Sequence, residues 1–241
     1  MTRTYARLAV IVVLLMIALM NGSGAAVVHG SHGIAWRVVC VDPGHPSEVN
    51  SGRTVQNGLT ELNVNWQVAK ELASILKTRG IRVVQTKRSR DEFVSNRKRA
   101  EIANKCSAVL MIRLHCDTGG KSGFAVYYPD RQASKSGRTG PSKAIMAKSR
   151  RAAECIRCGM ASVLQGALKD DGLHGESATA VGRRQGALTG SIFSDVPVVT
   201  VEMAFLSSKR DAAFIGSSSG RKKVAEGLAA GIAEWLRQSP E

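Results

Sequence analysis

Apolar and polar positions fall into blocks along this chain, and the period within a block changes from one to the next. "WRVVCV" (36–41) is an apolar run of strand length, stopped by Pro-Gly. Residues 46–59 are polar and contain glycine, which predicts a loop. Thr60 stands where a helix cap belongs, ahead of "ELNVNWQVAKELASILKTRG". Leu62, Trp66, Ala69, Leu72, Ala73 and Leu76 recur at helical spacing, and Gly80 ends the helix. "IRVVQT" (81–86) predicts a second strand, "DEFVSNRKRAEIANK" (91–105) an amphipathic helix, and "AVLMIRL" (108–114) a third strand.

The second half is less regular. "GFAVYYP" (123–129) predicts a short strand with a proline stop. Residues 130–143, rich in Ser, Gly, Lys and Arg, predict a mobile surface insertion. Residues 144–168 have one apolar side and predict a helix. The glycine-rich stretch 170–190 predicts loop with a short strand at most. "VPVVTVEMAF" (196–205) opens as a buried strand, and "VAEGLAAGIAEWLRQ" (224–238) closes the chain as a helix. Strand and helix alternate through the first half. This predicts a single α/β domain: a largely parallel twisted sheet, joined by right-handed crossovers and covered by helices on both faces.

The N-terminus follows a different pattern. Arg3 and Arg7 flank the apolar stretch 8–20, and "NGSGAA" supplies small residues beyond it. Residues 1–26 are expected to be a signal peptide or an N-terminal membrane anchor. The stretch is short against the roughly 20 residues of a comfortable span, which favours cleavage. Residues 27–241 are then the working domain, with its core at about 37–237. The expected location is exported: periplasm, cell envelope or extracellular.

Among the 241 residues, 44 % are hydrophobic but only 5 % aromatic, so the core is mostly aliphatic. The formal net charge of +15 favours polyanionic surroundings such as anionic wall polymers or an anionic membrane surface. Nucleic acid is not an expected partner: export argues against it, and the chain lacks an aromatic stacking set and a helix of clustered base-reading residues. Five cysteines leave at least one thiol unpaired, and Cys155-x-x-Cys158 lacks the second pair of a zinc ribbon. Cys40 reads as a small buried residue.

Ligands of such sheets bind beyond the carboxyl ends of the strands. His45 follows the first strand, His115 follows the third, Glu61 opens the first helix, and Glu202 ends "VPVVTV". All four are expected at one rim of the sheet. Two histidines and a carboxylate make a zinc ligand set with one position left for water, whose pKa the metal lowers to about 7. His45, Glu61 and His115 fit as ligands of one Zn²⁺ ion, and Glu202 fits as the acid–base residue. His174, in "DGLHGES", reads as a surface residue.

"VDPGH", "GLTELNVN", "TKRSRDEFVSNRKRAEIAN", "RLHCD" and "VPVVTVEMAFLSSKRD" occur in that order over residues 37 to 237. Together they resemble the zinc-dependent N-acetylmuramoyl-L-alanine amidases of bacteria. The resemblance places the metal ligands on His45, Glu61 and His115 and the catalytic glutamate on Glu202. It implies hydrolysis of the amide between N-acetylmuramic acid and L-alanine, with peptidoglycan as partner. The chain departs from the family's usual pattern in carrying Pro46-Ser47 for Gly-Gly, Arg113 for Ser, Asp117 for Asn and Ser208 for Asn. Arg113 is expected off the metal side of its strand. Asp42 is expected either to steady the turn or to orient a ligand histidine. "RRQGALTGSIFSDVP" (183–197) resembles a segment bordering the family's cleft, so Arg184 or Arg183 is a candidate for holding a stem-peptide carboxylate. The competing readings are a zinc peptidase or carboxypeptidase acting on wall peptides, and a wall-binding module without activity.

Overall fold

A computed structural model describes residues 37–239. The expected targeting segment, 1–26, lies outside the described residues. Strand β1 (Val38–Pro43) is buried along its whole length. A two-stranded ladder follows, β2 (Val55–Gln56) and β3 (Leu59–Thr60), where only loop was expected. Its cause was legible: Asn57 and Gly58 both hold positive φ, 47° and 80°, as a two-residue hairpin turn requires. Helix α1 (Glu61–Thr78) starts at the predicted cap, with the Thr60 hydroxyl accepting from Asn63 N at 3.3 Å. Trp66, expected on its buried face, is only half-buried; Val64 and Val68 are buried there as well.

Strand β4 (Arg82–Gln85), helix α2 (Asn96–Lys105) and strand β5 (Leu110–Asp117) come next. Helix α2 starts at Asn96 rather than residue 91, because the Ser95 side chain caps it by accepting from Lys98 N. After β6 (Phe124–Tyr128), residues 130–143, expected as a mobile insertion, have regular structure. They form a hairpin, β7 (Ala133–Lys135) and β8 (Arg138–Gly140), turned at Ser136-Gly137 with positive φ at both. Ala133 and Pro141 are buried, and Arg138 Nε donates to the Ile192 carbonyl at 3.0 Å, which ties the hairpin down. Helix α3 (Lys143–Leu164) and strand β9 (Asp170–Gly175) precede two short helices, α4 (Ala180–Gln185) and α5 (Thr189–Ile192). Strand β10 (Val198–Phe205) and helices α6 (Lys209–Gly216) and α7 (Ser218–Gln238) complete the fold.

The sheet has six strands in the order β4-β1-β5-β10-β6-β9. β4, β1, β5 and β10 run parallel, as expected; β6 is antiparallel to β10, and β9 is parallel to β6. Successive side chains on a strand point to opposite faces. Val39, Val41, Leu110, Ile112, Val199 and Val201 join the main core with α1, α3 and α7. On the other face Cys40, Met111 and Val198 pack against Ala103 of α2. The same parity puts Asp42, Arg113, His115, Thr200 and Glu202 on that second face, further along the strands. The chemistry therefore occupies half of one face of the sheet. Among the described residues no helix is long and apolar enough to cross a membrane.

Candidate metal centre

The turn after β1 is shaped around an imidazole. Gly44 N donates to the Leu114 carbonyl at 2.9 Å, and a Cβ on Gly44 would stand 2.4 Å from His115 Cε1. Only glycine lets the His115 ring lie across that backbone. His45 then holds φ at +62°, a left-handed conformation uncommon outside glycine. Its neighbours are held from outside the turn. Buried Lys87 donates Nζ to the His45 carbonyl, and Arg99 donates to the carbonyls of Pro43 at 2.7 Å and Pro46 at 3.0 Å. His45 Nδ1 lies 3.3 Å from the Asn50 carbonyl; a proton donated there leaves Nε2 with its lone pair free.

Glu61, at the start of α1, reaches both rings. Its Oε2 is 3.0 Å from His45 Nε2 and its Oε1 is 2.9 Å from His115 Nδ1. Cys116 N and Asn65 Nδ2 also donate to Oε1, at 3.2 and 3.3 Å. The ligand atoms of His45, Glu61 and His115 all lie within 4.8 Å of one another. Bond lengths of 2.0–2.1 Å in a tetrahedral zinc site put donors about 3.3 Å apart. The two measured spacings come close to that edge, so the residues fit a metal ion. Electrostatics agree. Burial opposes ionisation of Glu61, but the two imidazoles beside it outweigh that and hold the carboxyl well below its usual range. Burial pushes the His115 pKa down against the pull of Glu61, favouring the neutral imidazole that a metal requires.

Glu202 of β10 is the direct cross-strand neighbour of His115. Both sit inside their strands and on one face, rather than beyond the strand ends. Glu202 Oε2 is buried and has no partner among the described residues, and the side chain lines the cleft. Burial, then the charge of Glu61, push its carboxyl well above the usual value. The cleft encloses about 360 Å³ and is bordered beyond the metal pocket by Asn96, Tyr127, Val181 and Leu188.

Asp42 touches neither histidine. Fully buried, it accepts from Arg99 Nη1 at 2.6 Å, from Arg113 Nε at 2.9 Å and from Thr86 Oγ1. It steadies the turn through Arg99, which carries the carbonyls on either side of His45. Burial opposes its ionisation, yet Arg99 and Arg113 hold its carboxyl far below the usual range. Asp42→Ala would leave two guanidiniums facing each other, and we expect a loss of about 3–5 kcal/mol in denaturant unfolding. The pH sign follows from the depressed value. The stabilisation is complete above the ordinary aspartate pKa and disappears as pH falls towards the native one, so the loss on mutation shrinks in strong acid.

Other expectations came out differently. Arg113 lines the cleft instead of lying off the metal side, because residues two apart on a strand share a face and His115 is two away. Arg184 is exposed in the last turn of α4 and does not border the cleft, whereas Ala180 and Val181 from the first turn do. His174 is half-buried, its Nε2 2.8 Å from the Asp171 carbonyl and its ring 5.3 Å from that of Tyr127. All five cysteines are free thiols, and Cys40 is buried as expected. Sequence reasoning missed Asn65, Lys87, Arg99 and Asn96. Asn65 left a trace, since a fully buried amide interrupts the apolar face of α1 between Val64 and Val68.

An open α/β sheet bearing two histidines and a carboxylate in one pocket, with a further carboxylate beside it, has the makeup of a metal-assisted hydrolase. The chain belongs to the N-acetylmuramoyl-L-alanine amidase family, whose model matches residues 39–234. It is 28% identical over 207 residues to the uncharacterized protein YqiI of Bacillus subtilis, covering 85% of this chain and 87% of that one. It is 25% identical over 229 residues to N-acetylmuramoyl-L-alanine amidase AmiA of Escherichia coli, covering 83% and 76%. Its fold resembles the crystal structure of Ami1, an N-acetylmuramyl-L-alanine amidase from Mycobacterium smegmatis. The TM-score is 0.72 at 22% identity over 86% of this chain and 100% of that one.

Proposed function

We propose that this chain is an exported peptidoglycan hydrolase that uses one Zn²⁺ ion to cleave the amide between N-acetylmuramic acid and L-alanine. The observation that carries the reading is the convergence of His45, Glu61 and His115 within 4.8 Å, with Glu202 directly across the ladder from His115. Family membership supplies the bond to be cut; the cluster supplies the means.

His45 Nε2, His115 Nδ1 and one oxygen of Glu61 would hold the ion. A zinc ion bound there supplies a Lewis acid for the scissile carbonyl and lowers the pKa of water. The protein's own groups do the rest. Asn65 and Cys116 N fix Glu61, and Asn50 fixes His45. Glu202 takes a proton from the attacking water and hands it to the departing alanine amine, restoring its own starting state. A positive ion in the pocket would also work against the burial and the Glu61 charge that raise the Glu202 pKa. The net charge of +15 suits an anionic wall.

Digestion of intact peptidoglycan, with and without added zinc, tests the reading. New alanine amino termini together with free muramic lactyl carboxyls are expected, and only in the zinc-loaded sample. Scission confined to the interior of the stem peptide would identify a peptidase instead.

A further inference from the structure

We infer that Arg113, with Thr200 beside it, binds a carboxylate on the peptide side of the scissile amide, an inference that rests on the amidase reading. Arg113 is 3% exposed, yet it reaches the cleft. Its Nε donates to Asp42 Oδ2 at 2.9 Å and its Nη2 to Asn96 Oδ1 at 2.5 Å. Nη1 makes no hydrogen bond among the described residues. It lies under Gly190, where an added Cβ would come within 2.9 Å of it, so the chain passes over the guanidinium without a side chain in the way.

Charge points the same way. Asp42 is shared by Arg99 and Arg113, so two guanidiniums face one contacting carboxylate; Glu202, whose ionisation the Arg113 charge favours, makes no hydrogen bond among the described residues to balance the second charge. Glu176 does not neutralise it by contact: it is fully buried, and its oxygens accept from Ser191 Oγ at 2.6 Å and Leu188 N at 2.9 Å. A buried, unmatched charge is costly unless an anion meets it. Thr200 is the cross-strand neighbour of Arg113, and its Oγ1 is buried with no partner among the described residues. A guanidinium nitrogen and a hydroxyl, neither hydrogen-bonded among the described residues, thus come from neighbouring strands to line the cleft, and each can donate to a carboxylate.

The position selects which carboxylate. Arg113 and Thr200 stand two residues before His115 and Glu202 on the same strand faces, a displacement of about 6.6 Å. The muramic carboxyl is consumed in the scissile amide, so the substrate's remaining carboxylates belong to the stem peptide. At about 3.5 Å per extended residue, a carboxylate on the second residue lies roughly 7 Å from the scissile carbon. That is on the scale of the backbone spacing between the two rows, from which the Arg113 side chain reaches into the cleft.

Two muramoyl dipeptides, alike except for a free or amidated carboxyl on the second residue, test this with zinc-loaded full-length protein. The wild type should favour the free carboxylate by roughly tenfold or more in kcat/KM, the worth of a charge-assisted hydrogen bond. Arg113→Met should abolish the preference, chiefly through KM, and Arg113→Lys should restore part of it. Should neither variant fold, the wild-type ratio decides alone. Equal turnover of both substrates at the muramoyl amide overturns the role of Arg113 and leaves the amidase reading standing. Release of peptide from neither substrate overturns both.

Discussion

Glu202→Gln should abolish turnover on peptidoglycan while leaving the metal content of the protein unchanged. Glutamine keeps the shape of the side chain but can neither take a proton from water nor return one to an amine. The loss expected of a missing general acid–base group is about 10²–10⁴-fold in kcat. The three candidate ligands lie on the turn after β1, on α1 and on β5, so a change on β10 leaves them in place. The substitution is also structurally mild, because Glu202 Oε2 makes no hydrogen bond within the described residues for the amide to break. Elemental analysis after dialysis reads the metal, and release of alanine amino groups reads the rate. A variant that retained wild-type turnover would remove Glu202 from proton transfer. A variant that lost its metal as well would make Glu202 part of the binding pocket.

The sequence revealed the members of the candidate site more readily than their surroundings, for a physical reason. His45 and Glu61 adjoin apolar runs and His115 and Glu202 interrupt them, and such breaks are visible in one dimension. The groups that hold them are not. Arg99 looks like one of several basic residues on an amphipathic helix, yet it is fully buried and carries the carbonyls of Pro43 and Pro46. Lys87 follows a strand and reads as solvated, but its ammonium is directed at the His45 and Arg90 carbonyls. The first pairing cannot be seen until α2 is docked on the sheet, and the second until β4 is set beside β1. Arg113 was a matter of parity: its shared face with His115 was available from the strand period alone. The β7–β8 hairpin was hidden by composition, since Ser-Gly-Arg stretches look mobile, and what fastens it is Ile192, more than fifty residues later.

His115→Ala should remove metal and activity together, and the same loss should follow chelation of the unaltered protein. His115 is one of the three candidate donors, and its ring fills the space left by Gly44. Without it the Glu61 carboxylate loses its 2.9 Å partner and the pocket retains two ligands, too few for a tight site. The thermal readout separates metal loss from misfolding. An ion that binds only the folded state adds about 2.7 kcal/mol at one hundred times its Kd. In a domain of this size that raises Tm by roughly 5–10 °C. The wild type should show that rise on adding zinc after chelation, and it should regain turnover. His115→Ala should show neither, while melting cooperatively near the Tm of the metal-free wild type. Protons compete with metal for the imidazoles, so affinity falls with pH. Burial holds the His115 pKa below the usual histidine value, so it moves this competition at His115 towards lower pH. A His115→Ala protein with wild-type zinc stoichiometry would remove this residue from the ligand set.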